Sequence, residues 1–301
     1  MKVDSVVMKK VAGRMHPITV YLVEAFSYLE KGGNTAGVML NADNLSREDK
    51  LIIAKEVGVS ETAFVSQSEK ANFAVAFFTP TEEVDFCGHA TVATFWLLKH
   101  LGIVSEGRYM QETRAGVLAV DVDTTGLVTM EQTRPTWMNV YSTDVIAPLF
   151  GLSERALSKL ALPIQALSTG LPDIIVPVPK GELDQVVMDE KAVMDFSRQE
   201  KVIGFHLFEL NPEDDGVTAY CRNFAPAVGI TEESATGSAT GALACYLYKQ
   251  LGWTRMSFEQ GRAIGKTSRL WAELSLSEGD IAQVKVSGMA YLKGEYTVNI
   301  G

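Results

Sequence analysis

The chain is poor in the residues that build metal and redox centres, with three cysteines and four histidines in 301 residues. Cys87, Cys221 and Cys245 form no C-x-x-C spacing, and no two histidines stand at ligand spacing. That excludes the familiar zinc patterns and fits a reducing compartment. Cys221 and Cys245 lie in apolar stretches and read as small core residues. Positive charge is scarce too: 27 Lys and Arg against 37 Asp and Glu leave a net −10. Nucleic acid and anionic membrane both need a basic face, so neither is an expected partner. No apolar run approaches the ~18 residues that cross a bilayer. There is no Walker motif and no G-x-G-x-x-G, so no nucleotide or flavin, and no metal, is expected as cofactor. Lys2, Lys9, Lys10 and Arg14 surround only a short apolar run, too short for a signal peptide. Residues 1–16 are therefore expected to be a poorly ordered extension, and the protein cytoplasmic.

What is present is a globular composition, 47% hydrophobic and 21% charged, in a chain long enough for two domains. It also carries an internal repeat. Phe78-Thr79-Pro80, Gly88-His89-Ala90-Thr91 and Leu97-Leu98-Lys99-His100-Leu101-Gly102 recur in order as Phe224-Ala225-Pro226, Gly237-Ser238-Ala239-Thr240 and Leu247-Tyr248-Lys249-Gln250-Leu251-Gly252. Each block lies about 150 residues from its copy, half the chain. Each copy reads as a strand (73–78; 217–221), an acidic loop, then an apolar helix opened by glycine and stopped by Gly102 or Gly252. Such a helix suits burial inside a curled sheet.

Strand patterns cover 18–25, 63–66, 117–122, 127–132, 174–178, 202–210, 270–276, 282–286 and 291–299. Ser46 with Asp49 makes a capping-box variant that starts a helix over 47–57, and 190–198 is its expected counterpart. The fold class is α+β: two pseudo-symmetric domains, each a curled, barrel-like sheet around a central helix. Pro135 sets the boundary, giving domains 17–133 and 134–288, with the strand at 289–301 free to return to the first.

The two glycine turns are the candidate site. A helix N-terminus offers unpaired N–H groups and the positive dipole end, and glycine admits a ligand closely. Two such ends meeting in one cleft would suit a small carboxylate whose α-proton becomes acidic once its charge is stabilised. Gly88, Ala90, Thr91, Thr236, Gly237 and Ala239 are the expected binding residues. Asn34 is another, although Gly-Gly-Asn-Thr also reads as a tight turn. A histidine at a helix start is suited to donating a hydrogen bond in neutral form, or merely to capping the helix. Asp85 reads as a turn or capping residue.

Gly33-Asn34-Thr35-Ala36-Gly37-Val38, Ser60-Glu61-Thr62-Ala63-Phe64-Val65, Cys87-Gly88-His89-Ala90-Thr91 and Ala235-Thr236-Gly237-Ser238-Ala239 resemble the successive signatures of the phenazine-biosynthesis-like (PhzF-like) proteins, of the diaminopimelate-epimerase fold superfamily. The resemblance runs from about Ile18 to the C-terminus. It implies a cofactor-free isomerase moving a proton on a small acid, and a homodimer. Glu61 is the matching acid/base, assisted by His89 and Ser238. Glu233 stands where the family pattern has aspartate, and its extra methylene would push the carboxylate further into the cleft. Lys266 and Thr267 replace an Arg-Pro pair, and lysine cannot reproduce a bidentate clamp. Two-cysteine relatives carry a thiol before each turn; here those positions are Cys87 and Thr236, which disfavours two-base racemisation. A Cys87-based one-base epimerase or dehydratase stays open, as does a non-catalytic metabolite-binding protein. The 202–208 strand, the expected mirror of Glu61's, holds no acid, so the proton chemistry reads as one-sided.

Overall fold

The computed structural model describes residues 8–11, 14–213 and 215–298, with side chains from 17 onward. The chain divides into two compact units, Met1–Glu30, Asn34–Met130 and Gly288–Gly301 in unit 1, and Lys31–Gly33 with Glu131–Ser287 in unit 2. Among the described residues no helix is long and apolar enough to cross a membrane.

Unit 1 contains β1 (Met8–Val11), β2 (Arg14–Ser27), β3 (Asn34–Met39), α1 (Arg47–Val57), β4 (Glu61–Ser66), β5 (Phe73–Phe78), β6 (Glu83–Val84), α2 (Gly88–His100), β7 (Gly107–Thr113), β8 (Gly116–Val122) and the start of β9 (Val128–Gln132). Strand β2 pairs antiparallel with β3, and β3 pairs parallel with β4 across the α1 crossover. Then β5 lies antiparallel to β4 and β6, and parallel to β7 across α2. The run β7–β8–β9 is an antiparallel meander.

Unit 2 contains β10 (Thr136–Tyr141), the short helices α3 (Thr143–Ile146) and α4 (Glu154–Ser158), β11 (Ile164–Ser168), β12 (Pro172–Pro177), α5 (Glu190–Glu200), β13 (Gly204–Leu210), β14 (Ala219–Ala225), β15 (Ile230–Glu233), α6 (Gly237–Leu251), β16 (Arg255–Gln260), β17 (Ser268–Ser277) and β18 (Asp280–Val298), whose residues from Gly288 belong to unit 1. The ladder repeats strand for strand. Antiparallel β11–β12 is followed by parallel β12–β13 across α5, antiparallel β13–β14, and parallel β14–β16 across α6. Antiparallel β16–β17–β18 completes it, with β15 on β14 as β6 is on β5. In unit 1, β18 also pairs with β2 and with β9, closing a nine-stranded barrel.

Two kinds of helix serve this architecture. Helix α1 is amphipathic and started by the expected capping box: Ser46 accepts from the Asp49 amide, and Asp49 accepts from the Ser46 amide. It ends at Gly58 with φ +69° and buries Ile53 and Ala54 against Phe64, Phe78 and Met39. Its expected counterpart is α5, capped by Asp189. The central helices α2 and α6 are apolar nearly all round and bury most of their length. Each large side chain fully buried this way contributes about 1.5–3 kcal/mol.

Alternation along the strands gives each helix its own face. Ile174, Val176, Phe205 and Leu207 pack with Val193 of α5, whereas Ile175, Phe208 and Cys221 pack with Ala242 and Tyr246 of α6. Asp173, His206 and Asn223 therefore sit on the α6 face.

Several strands lack the patterns used to find them. β10 is mostly exposed, and β3 is made of Asn, Thr, Ala and Gly before its apolar end. The expected tight turn ends at Gly33, and Asn34 already pairs with Ala25. Of the expected poorly ordered extension, Met8–Val11 instead pairs antiparallel with Arg14–Pro17; residues 1–7 and 12–13 lie outside the described residues.

Candidate active site

In unit 1 the site assembles around His89, in the first turn of α2 and 7% exposed. Glu61 opens β4, whose parallel pairing with Ala36 fixes its position, and its Oε2 lies 3.3 Å from His89 Nε2. The Ser60 hydroxyl is 3.3 Å from the same nitrogen. On the other side of the ring, Asn34 Nδ2 lies 3.5 Å and Cys87 Sγ 3.4 Å from Nδ1. Four residues from three chain segments thus converge on one imidazole. Asn34 is brought to the site from the start of β3, although loop spacing alone left it undecided. Ser60 had not been singled out, even though it adjoins Glu61.

The N-caps of the two central helices share one peculiarity. Cys87 and Thr236 are both extended, and neither provides a side-chain cap. Thr91 and Thr240 donate instead to the carbonyls of Cys87 and Thr236, each at 2.9 Å. The first-turn amides at Gly88 and Gly237 thus have no side-chain acceptor from the N-cap, in contrast with those of α1 and α5. Ala90 and Ala239 are wholly buried, so their contribution is backbone. The Thr91 hydroxyl, expected to face a ligand, is spent inside the helix start and also accepts from Gln111.

In unit 2, Gln132 Nε2 donates to the Gly237 carbonyl at 2.8 Å, and the Thr169 hydroxyl donates to Gln132 Oε1 and to the Ser238 carbonyl. These contacts fix the Gly-Ser turn, and local sequence gave no sign of them. The longer side chain of Glu233 does not extend freely, because the Thr236 hydroxyl donates to its carboxylate at 2.5 Å. Gln260 braces the same loop through Thr236 and the Glu233 carbonyl. The neighbouring Glu232 has a structural task, a bidentate ion pair with Arg222 at 2.7 and 2.9 Å. Lys266 is exposed, and Asp85 is exposed and paired with Arg114.

The three cysteines form no disulfide. Burial pushes the Cys245 thiol up to about 12 and raises that of Cys221, consistent with inert core residues.

Two repeats of one curled sheet around a buried helix are the architecture of the epimerase-like folds. The chain belongs to the phenazine biosynthesis-like protein family (PhzC-PhzF), whose family model matches residues 23–295. An isomerase of uncharacterised reaction from Escherichia coli O157:H7, YddE, is 31% identical, with 91% of this chain and 95% of that protein covered. The trans-2,3-dihydro-3-hydroxyanthranilate isomerase of Pseudomonas chlororaphis is 27% identical over 92% of this chain and 98% of its own length. Among solved structures, a Bacillus anthracis PhzF-family protein has a TM-score of 0.85 at 30% identity, covering 95% of this chain and all of that one (100%). A hydroxyproline epimerase from Agrobacterium vitis shares the fold at a TM-score of 0.58 and 13% identity, with 94% and 91% covered. The protein is thus an isomerase-type enzyme of the phenazine biosynthesis-like family.

Proposed function

We propose that the enzyme moves a proton between carbons of a small carboxylate-bearing metabolite without a cofactor, with Glu61 as general acid/base. The observation that carries this reading is the 3.3 Å contact between Glu61 and His89 at the uncapped start of α2. Glu61 would take the proton from the carbon next to the carboxylate and return it to another carbon of the same molecule. The charge that develops in between would be met by the first-turn amides from Gly88 onward, the α2 dipole and a hydrogen bond from His89. Among the described residues, a Cβ at Gly88 would meet only the Met130 methyl within 4 Å, at 3.5 Å. Packing alone does not require glycine there, which supports close approach of a ligand. Ser238 and Glu233 are the assisting groups of unit 2. The relative acting on trans-2,3-dihydro-3-hydroxyanthranilate supports a small unsaturated or amino acid as substrate class. The same reading takes the protein as cytoplasmic and homodimeric.

The test is incubation in D2O with a panel of small unsaturated and amino acids, followed by mass spectrometry. Deuterium enters the substrate with the natural enzyme and not with Glu61→Gln; full incorporation by that variant would overturn the assignment. A second reading, with Cys87 as the base, is favoured by its 3.4 Å approach to His89. It requires iodoacetamide inactivation that substrate prevents and Cys87→Ser abolishes. A non-catalytic binding protein would exchange no deuterium with any acid it binds.

A further inference from the structure

The strand-for-strand repeat makes position-by-position comparison of the units possible. In unit 1 the ladder pairs Ala36 with Glu61; in unit 2 the corresponding pair is Asp173 with Gly204. Directly paired residues project from the same face of a sheet, so the acid has not vanished from the second repeat. It has moved one strand across. Gly204 shows why: a Cβ there would stand 2.1 Å from the Phe224 carbonyl oxygen, so no glutamate fits at the position matching Glu61.

The neighbours have changed with it. The unit 1 positions matching His206, Asn223 and Glu233 are Ala63, Phe77 and Val84, by the same ladders. An apolar patch beside the central helix in one unit is a polar cluster in the other. Asp173 is 1% exposed, Asn223 2% and His206 0%. Asn223 Nδ2 is 3.3 Å from His206 Nδ1, and Asn223 also hydrogen-bonds Asp173. Among the described residues, Asp173 Oδ1 and His206 Nε2 have no hydrogen-bond partner. A buried cluster with an unmet carboxyl oxygen is costly, and apolar residues of the other repeat fill the same place. Its retention calls for a use.

We propose that Asp173 is a proton-holding positioning residue for Glu233, the two carboxyls carrying one proton between them. This rests on the reading of Glu233 as a group that assists proton transfer. Burial and the facing Glu233 carboxylate push the Asp173 carboxyl up to about 7, against the smaller opposing effect of its hydrogen bond to Asn223. His206 is held neutral, its value lowered to about 3 by burial, so it does not titrate near neutrality. Of the groups facing Asp173, His206 on β13 and Asn223 on β14 therefore stay uncharged, and Glu233 on β15 carries the charge. The Thr236 hydroxyl donates to the Glu233 carboxylate, which favours the ionised form there and leaves the proton to Asp173. The pair thereby holds one exchangeable proton at neutral pH.

Infrared difference spectroscopy against pH tests this without any substrate. The natural protein should show a protonated-carboxyl band that titrates near pH 7 and is missing in Asp173→Asn, a variant of matched shape. In Glu233→Gln the midpoint should fall by about one pH unit, because the facing charge is gone. An Asp173 that is neutral through burial alone would keep its midpoint in Glu233→Gln, and that result would overturn the pair. Absence of the band at neutral pH would overturn it as well. The deuterium assay separates the underlying reading: a coupled titration together with undiminished exchange by Glu233→Gln would leave the shared proton standing and remove Glu233 from catalysis.

Discussion

The same crossover of strand, outer helix and parallel strand occurs in both units, yet it carries Glu61 on its second strand in one and Asp173 on its first in the other. Glu61 is partly exposed and touches a histidine on the central helix, whereas Asp173 is buried and touches an asparagine on the adjoining strand. The fold keeps an acid on the central-helix face of each sheet but varies its strand and its solvent access. The acid absent from the 202–208 strand is thus found one strand across, on β12. An accessible acid suits direct contact with a substrate; a buried one suits storage of a proton.

The comparison can be broken first at its accessible end. Replacing His89 with asparagine should lower deuterium incorporation by about 10²–10³-fold, by removing a polarising group. The corresponding change of buried His206 to glutamine should leave incorporation within a few-fold, as measured in the same assay. The next effect is on packing. Gly204→Ala should cost about 1–3 kcal/mol in denaturant unfolding, because its Cβ meets a backbone carbonyl. Ala36→Gly, at the position matching Asp173, should cost less.

How much of this was legible in the chain follows from distance along it. Helix α1 was read with its bounds, because its capping box, apolar spacing and stopping glycine are all local. The α2 and α6 helices and the strand at Phe73–Phe78 came from the repeat itself. Strand β10 was invisible because an exposed strand has no apolar alternation. The Asp173 cluster was invisible for another reason. Asp173, His206 and Asn223 are joined only by ladder register across the α5 crossover, and no local pattern encodes register between distant strands. At the candidate site, Glu61, His89 and Cys87 could be named from motifs, while Asn34 was undecided and Gln132 and Thr169 were unseen.

A smaller effect lies in the pH dependence of stability. The Asp173 carboxyl is raised from 3.8 to about 7 by folding, so the unfolded chain releases this proton at lower pH than the folded one. Its contribution is fully present below the ordinary carboxyl range and is lost as the pH rises towards about 7. Asp173→Asn should remove that decline, giving a Tm above that of the natural protein at pH 8 and little changed at pH 4, by calorimetry at both. The smallest effect concerns the brace on Glu233. Thr236→Val, which removes one hydroxyl donor, should cost about 0.5–1.5 kcal/mol. Thr236→Ser should recover most of it.

Glu61 is assigned as the acid that exchanges a substrate proton, and exchange itself tests this most directly. Glu61→Gln and Glu233→Gln should be compared with the natural enzyme in D2O on the same small carboxylic acids. Glu61→Gln should incorporate no deuterium above background, and Glu233→Gln should retain a reduced, measurable rate. Undiminished incorporation by Glu61→Gln would contradict the central claim.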